Sequence, residues 1–180
     1  DALQLLDALK VERAVVIGHS MGSFIARRMA ERAPARIERL ILVGSAPTVR
    51  TDGVSGMRDA FAALQDPIDP TFVREFQVST VHQPVPDDFM DTVIAESRKA
   101  PARVWKAALA GLVAYEPATP GASFVPTLVL GGDKDAMFSR AEQEALARSI
   151  PGASVHIVAD IGHTLHWEAP ERFVSLLSLR

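Results

Sequence analysis

The sequence predicts an α/β fold: a mostly parallel sheet flanked by helices, with a helical insert between the second and third strands. Three observations carry that prediction. Four short apolar runs alternate with segments of helical period, the pattern of βαβ units. The stretch from about Thr51 to Pro120 has no strand-like run. One strand passes directly into a helix through the glycine-flanked turn Gly18-His19-Ser20-Met21-Gly22.

Asp1 to Lys10 reads as a first helix, with Leu3, Leu6 and Leu9 as its apolar stripe and Leu5 beside them. Ala14 to Ile17 is a continuous apolar run rich in β-branched residues, which suits a strand buried on both faces. Helical period returns from Met21 to about Arg32, and Pro34 stops it. Leu40 to Val43 is the second strand. In the insert, Asp69-Pro70 reads as an N-cap followed by proline at the first helical position. Pro86 and Pro101 punctuate further helical patterns, including Ala102 to Ala114, so three or four helices are expected. Six of the aromatic residues lie here (Phe61, Phe72, Phe76, Phe89, Trp105 and Tyr115), which points to an apolar surface. Thr127 to Leu130 is the third strand. Ser139 with Glu142 forms a capping box that opens a helix to about Arg148. Val155 to Val158 is the fourth strand, and Pro170 starts a last helix with Phe173, Val174 and Leu177 as apolar positions.

Composition narrows the function. The 180 residues are 48% apolar and 23% charged, an ordinary globular balance with material for one sizeable core. With no cysteine, disulfide frameworks, zinc–thiolate sites and cysteine nucleophiles are excluded. A formal charge of −3 without basic runs gives no electrostatic support to a nucleic-acid or anionic-membrane partner. The longest nearly apolar stretch, Ala107 to Tyr115, is about half a membrane span. The chain opens at Asp1 straight into a helical pattern, with no leader, so the first part of the natural domain is expected to be absent and the protein to be cytoplasmic.

The chemistry gathers at strand ends. Gly18-His19-Ser20-Met21-Gly22, lying between a strand and a helix, has the context of a G-x-S-x-G nucleophile elbow. Small residues at Gly18 and Gly22 are expected to let strand and helix close together. The turn pushes the Ser20 hydroxyl out at the carboxyl edge of the sheet, beside the free amides of the helix N-terminus. The competing reading is that Ser20 only caps the helix. A serine hydroxyl needs a base. Of five histidines, His19 is expected to point away from the nucleophile, His82 lies in the insert and His156 in a strand. His163 follows the last strand in Asp160-Ile161-Gly162-His163 and is the candidate base, with His166 as its rival. His163, His166 and Glu168 could by residue type alone be metal ligands, but no further ligand cluster supports that, and no cofactor is expected. An orienting carboxylate can come from Asp133 or Asp135 in Gly131-Gly132-Asp133-Lys134-Asp135, with Asp52 as an outside candidate.

These segments together resemble the α/β-hydrolase superfamily, in the subgroup with a helical cap. The resemblance runs through Val16 to Gly22, Pro126 to Asp135, and Gly162-His163 through Trp167 to Phe173, in that order along nearly the whole chain. It implies one domain with its core in residues 1–50 and 121–180 and a cap at about 51–120. In the family the acid follows a glycine by three residues, which selects Asp135, and the histidine follows a glycine, which selects His163. The implied triad is Ser20, Asp135 and His163, acting without cofactor on a small-molecule acyl substrate. The same triad also serves cofactor-free haloperoxidases, acyltransferases and carbon–carbon bond hydrolases, and a fragment could keep the motifs as a non-catalytic binding module. The family's sheet normally has eight strands. The four read here correspond to the last four, so the loop giving half of the oxyanion hole is expected to be missing and the Met21 backbone N–H to remain. The first strand would then have an open edge, inviting a homo-oligomer.

Overall fold

A computed structural model describes residues 1–49, 54, 56–116 and 125–178. Four strands, β1 (Ala14–His19), β2 (Ile37–Val43), β3 (Thr127–Gly132) and β4 (Ser154–Val158), form one sheet in the order β1-β2-β3-β4, with every neighbouring pair parallel. All four apolar runs lie within these strands. Helix α1 (Ala2–Ala8) precedes β1, and α2 (Met21–Arg32) connects β1 to β2. Helices α3 (Met57–Ala62), α4 (Pro70–Val78), α5 (Asp87–Ser97) and α6 (Ala102–Val113) lie between β2 and β3. Helix α7 (Arg140–Ser149) joins β3 to β4, and α8 (Leu165–Glu168) and α9 (Pro170–Leu176) follow β4.

Side chains that alternate along each strand separate into two layers. Leu40, Leu42 and Val129 face α2 and α7, where they meet Ala26, Met29, Ala30 and Leu146. Ile41, Val43, Leu128 and Leu130 face the opposite side, against Leu165 and Leu176 of α8 and α9. Local signals set several helix starts. The Asp69 carboxylate accepts from Thr71 N at 2.8 Å, with Pro70 next to it. Ser139 and Glu142 close the expected capping box.

Several sequence expectations need correction. β1 is not buried on both faces: Val15 is 49% exposed and Ile17 47%. The α8–α9 layer reaches β2 but takes in no residue of β1, which is an edge strand. Leu9 lies beyond the end of α1 and is exposed, and Val174 points to solvent, while Leu176 takes the buried position in α9. Most of the insert aromatics turn inward, while Phe89 is 39% exposed. Phe61 packs edge-on against Phe72, Phe76 and Trp105, with ring centroids 5.5–5.9 Å away, and becomes the core of the insert. That cluster continues into Phe24 and Phe138, so the insert sits on the sheet's carboxyl end.

Candidate active site

Ser20 occupies the turn between β1 and α2 with φ 49° and ψ −123°, a region that costs a non-glycine residue about 1–3 kcal/mol. Its surroundings impose that conformation. Ser20 N donates to Val43 O at 2.9 Å, and its carbonyl accepts from Ser23 N (2.9 Å) and Ser23 Oγ (2.6 Å). The Ser23 hydroxyl is in turn bonded to Ser45 at 2.7 Å. A Cβ at Gly18 would run into the Gly22 carbonyl and the Ser23 backbone, so the close approach of strand and helix depends on Gly18. Gly22 differs from expectation: a Cβ there meets nothing, and the steric demand falls on Gly18 alone. The Ser20 side chain makes no capping bond to α2, which removes the reading of this serine as a helix cap. Met21 is the first residue of α2, where a backbone N–H has no acceptor within the helix.

Beyond the end of β3, Asp135 turns its carboxylate inward. Its Oδ1 accepts from Met137 N (2.8 Å) and Phe138 N (3.0 Å), and its Oδ2 accepts from His163 Nδ1 at 2.8 Å. The two side chains are 0% and 4% exposed. Asp133 serves elsewhere, accepting from Asp160 N at 2.6 Å in the turn after β4. Asp52 lies outside the described residues.

The backbone of His163 is held at both ends. Its N–H donates to Thr80 O of the insert at 3.0 Å, and its carbonyl accepts from His19 Nε2 at 3.0 Å. Gly44, at φ +52°, lies beneath the ring, where a Cβ would come within 2.9 Å of Cε1 and Nδ1. Among the described residues the ring's hydrogen bond is the one at Nδ1, and Nε2 makes none. With Nδ1 donating, Nε2 carries the lone pair and can take a proton.

His19 does not point away from the site. Its ring lies 4.8 Å from that of His163 and 4.6 Å from that of His166. Burial, reinforced by repulsion from His163 and His166, lowers its pKa to about 3, so it is neutral and serves as a hydrogen-bond donor. The rival base, His166, has no carboxylate partner: its Nδ1 is buried without a hydrogen bond, and its ring packs on Trp167 and Phe173. Burial, then His163, also lowers its pKa. Glu168 is occupied by N–H groups of the His163 loop and the insert, so His163, His166 and Glu168 do not converge as ligands. No metal-binding group of three such side chains occurs among the described residues.

Ser20 and His163 line one cavity of about 230 Å³. Its apolar wall includes Phe76, Met137 and Trp167, and its described lining has no lysine or arginine. Sequence reasoning singled out His19 in the elbow and Glu168 as a possible metal ligand but not the roles they take here, and it missed Thr80, which acts through its carbonyl and left no signal. A larger cavity, about 770 Å³, lies between α1, α2 and α6 without a nucleophile and base together.

Comparison with known proteins converges on the same fold. Residues 1–170 match the family model of the alpha/beta hydrolase fold. The chain is 31% identical to 2-hydroxymuconate semialdehyde hydrolase of Pseudomonas sp. (strain CF600), over 98% of this chain and 64% of that protein. It is 27% identical to 3-oxoadipate enol-lactonase 1 of Acinetobacter baylyi, over 99% of this chain and 67% of that one. Among solved structures, an esterase from Exiguobacterium antarcticum superimposes with a TM-score of 0.86 at 20% identity, over 98% of this chain and 69% of the esterase. A thermophilic esterase from Thermogutta terrifontis gives 0.78 at 27%, with coverages of 98% and 68%. The chain thus spans about two thirds of the length of the proteins it matches.

Proposed function

Because the chain belongs to the alpha/beta hydrolase fold family, we propose that it contributes a Ser20–His163–Asp135 triad to a serine hydrolase that cleaves small esters or related acyl substrates. One observation carries the reading: the buried His163–Asp135 hydrogen bond stands at the same cavity as a strained, uncapped Ser20. In the proposed reaction Ser20 Oγ attacks the acyl carbon while His163 Nε2 takes its proton. The proton passes to the leaving alkoxide, and the alcohol departs. Water then attacks the acyl-enzyme, giving a proton to His163, which passes it to Ser20 Oγ as the Ser20–acyl bond breaks and the acid departs. Asp135 holds the imidazole in the Nδ1–H tautomer. The Met21 N–H is one oxyanion donor, and a donor of this kind is worth about 2.7–4 kcal/mol. The Ser20–His163 bond is left to form with substrate in place, as is common in unliganded sites.

The apolar lining, without lysine or arginine among the described residues, favours an uncharged acyl group. The 31% identity to 2-hydroxymuconate semialdehyde hydrolase favours a second reading, carbon–carbon bond hydrolysis on the same triad. Turnover of p-nitrophenyl butyrate and of a 2-hydroxy-6-oxodienoate separates the two. Ester hydrolysis that is lost in Ser20→Ala supports the first reading. Dienoate cleavage without ester hydrolysis overturns it in favour of the second.

A further inference from the structure

We propose that Glu168 is a positioning residue for His163, acting by fastening the helical insert to the loop that carries the base. The inference rests on the triad reading above. Glu168 Oε2 accepts from three backbone amides: His82 N (3.0 Å), Gln83 N (2.8 Å) and Gly162 N (2.9 Å). Oε1 lies 3.3 Å from both Thr164 N and the Thr164 hydroxyl. Two of these donors belong to the turn after α4, and the others come from the residues on either side of His163. One carboxylate therefore joins two segments that are remote in sequence. Hydrogen bonds to an ionised acceptor are the stronger kind, and four backbone amides on one carboxylate, with a Thr164 hydroxyl whose single proton is shared with Thr80 O, make a rigid node.

Independent features point to the same junction. Gly162 is the residue that the approach allows: a Cβ there would come within 2.7 Å of His82 N and 2.9 Å of Glu168 Oε1. His163 N and the Thr164 hydroxyl both reach Thr80 O, in the same turn of the insert. Outside the node, His82 Nε2 and the Gln83 amide bind Asp160, again between insert and loop. The side chain of His163 is fixed by Asp135, its carbonyl by His19 and its backbone N–H by the insert, and Glu168 anchors the insert there. A structural cap of α8 alone would need the Thr164 and Gly162 donors and not those of the insert. Displacing reacting groups by about 1 Å can cost on the order of 100-fold in rate, so a node that sets the loop position bears on turnover.

The test compares the 180-residue protein with Glu168→Gln, using Asp133→Asn as a control outside the node. In the parent the His163 Nδ1 proton, held by Asp135, is expected to give a downfield NMR resonance. Glu168→Gln is expected to broaden or shift that resonance and to slow fluorophosphonate labelling of Ser20 by about 10–100-fold, while Asp133→Asn does neither. An unchanged resonance with labelling within about twofold of the parent overturns the proposal. Should Glu168→Gln fail to fold, amide exchange in the parent decides. The His82 and Gln83 amides are expected to exchange slowly, together with those of Gly162 and Thr164, and free exchange of the insert pair overturns the bridge. Labelling that survives Ser20→Ala would sink the triad reading instead, and the exchange and proton measurements would still report on Glu168.

Discussion

The two edges of the sheet are built differently. At the β4 edge, the loop carrying His163 is tied to the β3 end through Asp135, to the elbow through His19, and to the insert through Thr80 and Glu168. At the β1 edge, half of the strand's apolar side chains are exposed, α1 has no buried residue, and the broad cavity between α1, α2 and α6 brings no reactive pair together. Elements that one sheet places side by side can thus differ widely in how firmly they are held. The candidate triad lies where buried polar groups find partners and not in the broader cavity. A buried polar network carries high stakes because each unpaired member is costly.

The contrast can be broken first at its strong end. Asp135→Asn leaves the shape of the site but removes the acceptor that sets the His163 tautomer. Ester turnover is expected to fall by about 10⁴-fold, while Asp133→Asn stays within a few-fold. Initial rates on one substrate check both. The next effect is on stability. Leu165→Ala, in the buried layer over β2 and β3, is expected to cost about 2–5 kcal/mol by chemical denaturation. Ile17→Ala, half exposed on β1, should cost under about 1 kcal/mol. Equal costs would mean that the β1 edge is covered in solution.

Cover from a second copy is the specific form of that outcome. Among the described residues β1 pairs on one side only, with Val15 and Ile17 exposed beside the open edge. Such an edge invites pairing, so for the 180-residue chain on its own we propose an oligomer or poor solubility, the symmetric oligomer being a twofold dimer with β1 antiparallel to β1. Light scattering over a dilution series measures it, and Ile17→Lys should return the protein to monomer. A parent that is monomeric at every concentration removes the dimer.

The last expected effect is a pH slope. His19 has a folded pKa of about 3 against an ordinary 6.5, so the unfolded chain binds more protons between those values. Its contribution to stability is complete above pH 6.5 and is lost as the pH falls toward 3. His19→Gln keeps a donor for the His163 carbonyl but does not titrate. It should flatten that part of the stability–pH curve, and an unaltered slope would assign the slope to other groups.

Most of the fold was legible because periodicity and punctuation act locally. The β-branched runs mark all four strands, and Asp69-Pro70 and Ser139–Glu142 mark helix starts that need no tertiary information. Exposure was not legible. Val15 and Ile17 look as apolar as Ile41 and Val43, and only the layout of α8 and α9 decides which pair is buried. The elbow could be read from spacing because Gly18 and Ser20 meet a steric demand within one turn. Asp135 and His163 could be located at strand ends by residue type, but choosing Asp135 over Asp133 needed the family pattern. The roles of His19, Thr80 and Glu168 escaped because they work through backbone groups of remote segments, which no residue pattern along the chain records.

Mass-spectrometric mapping of a fluorophosphonate adduct tests the central claim, that Ser20 is the group His163 and Asp135 activate. The account predicts one adduct, on the peptide containing Ser20, absent from Ser20→Ala and formed far more slowly in Asp135→Asn. An adduct on another residue, or one that forms equally well in Ser20→Ala, would contradict it.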